Sequence, residues 1–212
     1  VDGIVVTSGE TTYVNLRLDP TGSTAWVGWS DTFTRADSDT LGVTETGCLT
    51  WAKSGLASIK SNQLWFTGVG GNWLHSYAWV RDFKPADFDI KFKVNVESAG
   101  WFGFVYREAT LNSPVDASSE KYMVLMQAAD STHLNLQLFY RDTAFATTVV
   151  TTGGVGTIHT VRVRAEGTSH KIWWDDIVAP VIDAIHDTGT TAAGFMEFDL
   201  GVDTTGTESV YV

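Results

Sequence analysis

Hydrophobic and polar residues alternate one for one along much of the chain. In Phe88-Asp89-Ile90-Lys91-Phe92-Lys93-Val94-Asn95-Val96-Glu97 every second residue is apolar. This is the period of a strand with one face on a core and the other toward water. Thr160–Ala165 and His133–Leu138 repeat the pattern, and Gly100–Arg107, Tyr122–Gln127, Ala144–Val150 and Gly194–Leu200 read as further strands. Gly, Asp, Ser and Thr cluster between them, at Asp116–Glu120, Thr151–Gly156, Asp187–Thr191 and Asp203–Thr207. No segment keeps a helical period over three turns. The pattern predicts an all-β antiparallel sandwich or barrel.

The first residues differ. Val1–Val6 and Thr12–Leu18, around Ser8-Gly9-Glu10, predict a β-hairpin arm ending at Asp19-Pro20. Two strands alone are rarely stable in water, so the arm is expected to pair with the main sandwich, a preceding module or a neighbouring chain. The expected division is an arm, or the remnant of a preceding β module, over residues 1–29 and a main β domain over 30–212.

Composition narrows the classes. A chain of 212 residues, 43% hydrophobic and 18% charged, is long enough to bury a core without staples and is not a disordered segment. Its net charge of −11 opposes a sequence-independent grip on nucleic acid and adhesion to anionic membranes. No apolar run approaches the ~20 residues of a membrane span. Cys48 is the single cysteine, which excludes an intrachain disulfide and predicts a buried, inert thiol. The chain opens at Val1 without a signal-peptide pattern, so a processed or excised chain is expected.

Several motifs together resemble one family. Asp31-Thr-Phe33-Thr-Arg35-Ala36-Asp37 leads to Leu41-Gly42, Gly47, Trp51, Ile59 and Asn62-Gln-Leu64. The middle has Gly103-Phe104-Val105-Tyr106-Arg107 and Lys121-Tyr122-Met-Val-Leu. The end has His159-Thr-Val161-Arg162-Val163-Arg164, Gly167, Lys171-Ile-Trp173-Trp174-Asp175-Asp176, Ala193-Gly194-Phe195 and Val210-Tyr211-Val212. Over roughly residues 31–212 this looks like the concanavalin A-like jelly-roll domains of the laminin-G type found in bacterial surface proteins and phage structural proteins. The resemblance implies a jelly-roll β-sandwich. It leaves activity open, because this sandwich serves lectins, glycosidases and scaffolds.

Catalysis has one candidate. Glu197-Phe198-Asp199-Leu200-Gly201-Val202-Asp203 resembles the Glu-x-Asp-x-x-Glu strand of a jelly-roll glycosidase family. Retaining hydrolysis needs two carboxyls about 5–5.5 Å apart, yet the third acidic position falls on Gly201 or Val202. The simpler expectation is a pair of solvent-facing acids on an outer strand, and no enzyme is expected. His75, His133, His159, His170 and His186 are scattered, without zinc-ligand spacing. Asp37-Ser-Asp39, Asp175-Asp176 and Asp199 with Asp203 are where calcium would find oxygen ligands; each reads more simply as a turn or solvated acid, and no cofactor is expected.

Binding rests on aromatic residues at polar positions. If Ala165 pairs with Thr168, then Val161 faces Ile172 and Val163 faces His170. Trp173 and Lys171 then share the opposite face with Arg162 and Arg164. Trp173 there is either a platform for a pyranose ring or a cation–π partner of Arg162, diagonally across the hairpin. Leu134, Leu136 and Leu138 should face the core and leave Asn135 and Gln137 outside. Phe102, Phe104 and Tyr106 should face in and leave Trp101, Val105 and Arg107 out. Trp65, Trp73, Tyr77 and Trp79 are expected mostly in the core. Trp173, Arg162, Arg107, Trp101, Asn135 and Gln137 are therefore the candidate carbohydrate-binding residues, since hydroxyl-rich ligands need hydrogen bonds and stacking together.

The expected role is a non-catalytic recognition or adhesion domain on a cell surface or virion, with a glycan or host-surface polysaccharide as ligand. The alternative is a structural tail, fibre or capsid-decoration protein that binds other protein chains. A glycoside hydrolase comes third. The expected location is extracellular or on the virion surface, without nucleic acid or membrane insertion.

Overall fold

The computed structural model describes residues 12–15, 29–47, 49–69, 74–81, 83–96, 101–111, 120–151, 157–175, 178–202 and 207–211. Cys48, Trp73, Asp176, Asp203 and most of the arm lie outside them. The described residues contain strands and no helix. In chain order the strands are β1 (Thr12–Asn15), β2 (Trp29–Asp31), β3 (Trp51–Ser54), β4 (Ala57–Lys60), β5 (Gln63–Val69), β6 (Leu74–Val80), β7 (Phe88–Val96) and β8 (Trp101–Glu108). They continue as β9 (Tyr122–Ala128), β10 (His133–Tyr140), β11 (Thr143–Thr151), β12 (Ile158–Glu166), β13 (Ser169–Trp174), β14 (Ile182–Ile185), β15 (Phe195–Val202) and β16 (Thr207–Tyr211).

Two antiparallel sheets result. A nine-stranded sheet runs β14-β13-β12-β7-β16-β5-β4, with β1 paired to β7 and to β2. A seven-stranded sheet runs β11-β10-β9-β8-β15-β6-β3. The seven strands read from alternation appear as β7 to β12 and β15, and the predicted facing of their apolar residues holds. From the nine-stranded sheet Ile90, Phe92, Val94, Val161, Val163 and Ile172 are buried inward. Phe102, Phe104, Phe198, Leu134, Leu136 and Leu138 answer from the other. The sheets interlock through rings: Phe92 lies 5.4 Å from Phe104 and 5.2 Å from Phe198. Burying one such ring stabilises the fold by about 1.5–3 kcal/mol.

The Asp31-x-Phe33-x-Arg35 motif is a clamp. The Asp31 carboxylate is fully buried. It accepts the Phe33 N–H at 2.8 Å, the Arg35 guanidinium through both oxygens at 2.9 Å and the Trp51 indole N–H at 2.7 Å. Phe33 sits at a φ of 54°, a left-handed conformation that a non-glycine residue adopts only when its surroundings fix it. Arg35 then donates to the Leu41 and Val43 carbonyls, and the Trp51 N–H to the Gly42 carbonyl. Thus one buried carboxylate holds the loop over residues 39–43 against β3.

Two local features depart from the expected pairing. The β12–β13 hairpin turns at Gly167-Thr168, with Gly167 at a φ of 54°, so Ala165 pairs with His170 instead of Thr168 and Val163 with Ile172. The register differs by two residues from the expected one, which preserves the facing and sets Arg162 directly opposite Trp173. On β8, a bulge faces β15: Phe195 pairs with Glu108 but Glu197 with Val105. The bulged Arg107 has a φ of 52°, and Gly194 packs against its backbone, where a Cβ would lie 2.3 Å from the Arg107 carbonyl carbon. The extra residue reverses the alternation and turns Glu108 to the outer face with Glu197.

Candidate functional site

The six residues expected from sequence do not converge. Arg162 and Trp173 lie on the outer face of the nine-stranded sheet, where both are engaged. Arg162 stacks over the Trp173 ring at 4.7 Å and makes two hydrogen bonds to Asp89, while the Trp173 indole N–H donates to the Val178 carbonyl at 3.3 Å. Trp101, Asn135 and Gln137 lie on the outer face of the other sheet, with β9 between their strands. Trp101 is buried there against Val105 and Met123, its ring over Gly103, whose missing side chain makes the room. Arg107 is buried as well, donating to the Ala86 and Thr190 carbonyls and to Asp87. For Trp101 and Arg107 the expectation of an open sheet surface is therefore corrected: the bulge redirects one, and apolar neighbours cover the other.

The acidic motif needs a larger correction. β15 is an interior strand between β8 and β6, and Glu197 and Asp199 are both about 1% exposed. They are not solvent-facing acids on an outer strand. Across the bulge lies Glu108, also buried and ion-paired to Lys121 at 3.2 Å. Neither oxygen of Glu197 meets a donor. Two carboxylates can only accept, so one proton between Glu197 and Glu108 turns repulsion into a hydrogen bond. Burial, then the charges of Glu108 and Asp199, accordingly hold the Glu197 carboxyl far above the ordinary range. Tyr77, opposite Asp199, is pushed up by burial and by the same acids.

His170, Asp37 and Asp175 have partners within the fold. His170 is buried with its Nδ1 2.8 Å from the Tyr106 hydroxyl. Burial first, then the Arg107 and His186 charges, lower its pKa to about 3, so it is neutral at physiological pH. Asp37 accepts the Ser61 N–H, and Asp175 accepts from His159 and from the Thr160 N–H. Among the described residues no three His, Cys, Asp or Glu side chains are arranged to hold a metal ion.

An open groove of about 450 Å³ lies where β3 and β6 meet the 39–43 loop. Its lining includes Asp39, Thr40, Ala52, Lys53, Trp79 and Arg81. Trp79 faces outward between Ala52 and Glu197, its partners on β3 and β15. The expectation that Trp65, Tyr77 and Trp79 are core residues is corrected, since Leu64, Phe66, Ala78 and Val80 fill those inward positions. The described tryptophans otherwise have partners. Trp29 and Trp51 pack edge to face in the core, Trp174 stacks on His159, Lys60 covers Trp65, and Trp101 and Trp173 are occupied as above. Trp79 is half-buried, and among the described residues neither its ring nor its indole N–H has a partner. Sequence reasoning missed it because the alternation of Ala78 and Val80 around it is quiet beside the aromatic run in which it sits.

No protein-family model matches the chain, and no curated protein sequence matches it. Solved structures do. A β-1,3-1,4-glucanase (lichenase) derived from a mouse hindgut metagenome aligns with a TM-score of 0.59 at 11% identity, over 85% of this chain and 94% of that one. The carbohydrate-binding module CBM66 from Bacillus subtilis aligns at 0.54 and 17%, over 76% and 91%. The exoplasmic/lumenal domain of VIP36, in a Ca2+/Man3GlcNAc-bound form, aligns at 0.55 and 11%, over 76% and 81%. These likenesses establish the fold: the chain is a concanavalin A-like jelly-roll sandwich, as the resemblance in its sequence implied.

Proposed function

We propose that this protein is a non-catalytic glycan-recognition domain, displayed on a cell or virion surface, and that it binds saccharide in the groove beside Trp79. One observation carries the reading: a tryptophan ring held open in a concave site that polar side chains also line, where every other described tryptophan is covered or engaged. A flat apolar ring matches the C–H face of a pyranose, and the Asp39 carboxylate, Thr40 hydroxyl and Arg81 guanidinium beside it suit its hydroxyls. The acid group near Glu197 supports recognition over hydrolysis, because carboxyls about 1% exposed or less do not reach a glycosidic oxygen. The names of the structural neighbours, which include a carbohydrate-binding module and a saccharide-bound lumenal domain, agree with this reading.

A glycan array with the intact chain tests it, with Trp79→Ala and Trp173→Ala alongside. Binding to a glycan class is expected, weakened at least about thirtyfold by Trp79→Ala, the scale of a central aromatic contact of roughly 2 kcal/mol. A blank array, or binding indifferent to Trp79→Ala, contradicts the proposal.

A further inference from the structure

The groove has a chemical asymmetry that bears on which saccharide it takes. The protein as a whole is strongly acidic, at −11, and its described basic side chains are largely committed. Arg35, Arg107, Arg141, Arg162 and Arg164 each engage a carboxylate. Inside the groove Lys53 donates to the Ala57 carbonyl. Arg81 differs. Its backbone N–H is tied to the Thr50 carbonyl at 2.8 Å, which fixes its position at the end of β6. Its guanidinium is exposed and has no partner among the described residues, although Asp39 lines the same groove.

Resting on the reading of this groove as a saccharide site, we propose that it selects sugars carrying a carboxylate, of the uronic acid type, through Arg81. The guanidinium offers a fork of N–H donors that meets a carboxylate through two parallel, charge-assisted hydrogen bonds, where a neutral hydroxymethyl group presents a single uncharged oxygen. Arg81 directly follows the last residue of β6, two positions beyond Trp79, and both residues line the groove. In the orientation we propose, a pyranose stacked on the indole turns its exocyclic carbon toward the guanidinium. Asp39 stays available for ring hydroxyls, which donate to it. The net charge of the protein sets a limit. A polymer charged at every residue is repelled by the acidic surface, so isolated uronates among neutral sugars are the favoured form.

Matched disaccharides that differ only in a terminal CH2OH or carboxylate, in the gluco, galacto and manno series, test this by calorimetry with the full chain. The uronate member of the bound series is expected to bind about tenfold or more tighter, with an advantage that shrinks as salt rises. Arg81→Gln should abolish the preference by weakening the uronate far more than its neutral counterpart, and Arg81→Lys should restore only part. Equal binding of both members, or a uronate preference that survives Arg81→Gln, overturns the selectivity while the groove reading stands. Absence of binding throughout all series overturns both.

Discussion

The two outer faces of this sandwich use the same residue types to opposite ends. On the nine-stranded sheet Arg162, Arg164 and Lys171 pair with Asp89, Glu166 and Asp183, and the Arg162 guanidinium covers the Trp173 ring. A ligand there would have to displace partners already in place. At the β3–β6 end of the other sheet a tryptophan and an arginine stand two residues apart, and neither side chain is engaged among the described residues. The comparison teaches that exposure alone does not mark a binding residue. What marks it is an unmet capacity for stacking or hydrogen bonding in a concave place.

The strongest way to break the contrast is to remove what holds the groove open. Asp31→Ala strips the clamp of its acceptor and leaves the Arg35 charge and the Trp51 indole N–H without it. It is expected to cost about 3 kcal/mol of stability in denaturant titrations and, by releasing the 39–43 loop, to weaken saccharide binding. An Asp31→Ala protein as stable as the parent would show that the clamp is not structural.

The acid group sharpens the contrast from another side. Glu197 has a raised pKa in the folded state, so the fold binds more protons than the unfolded chain above about pH 4.3, the ordinary value for glutamate. Its contribution is present below that pH and is lost as the pH rises toward the elevated folded value. Glu197→Gln keeps the shape and removes the titration. It is expected to match the parent near pH 4, to gain about 1 kcal/mol or more by pH 8, and to bind saccharide as before. Loss of binding or the appearance of hydrolysis tied to Glu197 would give the group a working role. The smallest effect is expected at Trp173→Ala, which should change saccharide affinity by less than about 0.5 kcal/mol while removing the indole from the Arg162 stack.

Much of the fold was legible in sequence because period-two alternation fixes which residues face the core. Leu134, Leu136 and Leu138, and Phe102, Phe104 and Tyr106, all do so. The site was less legible, for three physical reasons. A bulge adds one residue and reverses facing beyond it, so Glu108 joined Glu197 and Arg107 turned away to its carbonyl partners. A turn centred one residue later moved the β12–β13 pairing by two and put Arg162 squarely over Trp173. And the state of a tryptophan, covered or open, depends on neighbours distant in the chain: Ala52 and the 39–43 loop for Trp79, Asp89-anchored Arg162 for Trp173. The Asp31-x-Phe33-x-Arg35 motif was visible at once, but its consequence, a wall for the groove, appears only when Arg35 is seen to reach the Leu41 and Val43 carbonyls.

The central claim is that Trp79, and not Trp173, meets the ligand. Its most direct test follows the indole N–H resonances of the 15N-tryptophan-labelled chain, assigned through single Trp→Phe variants, while a bound glycan is titrated in. The account predicts that the Trp79 signal moves with saturation and the Trp173 signal stays. Movement of Trp173 or Trp101 with an unmoved Trp79 would contradict it.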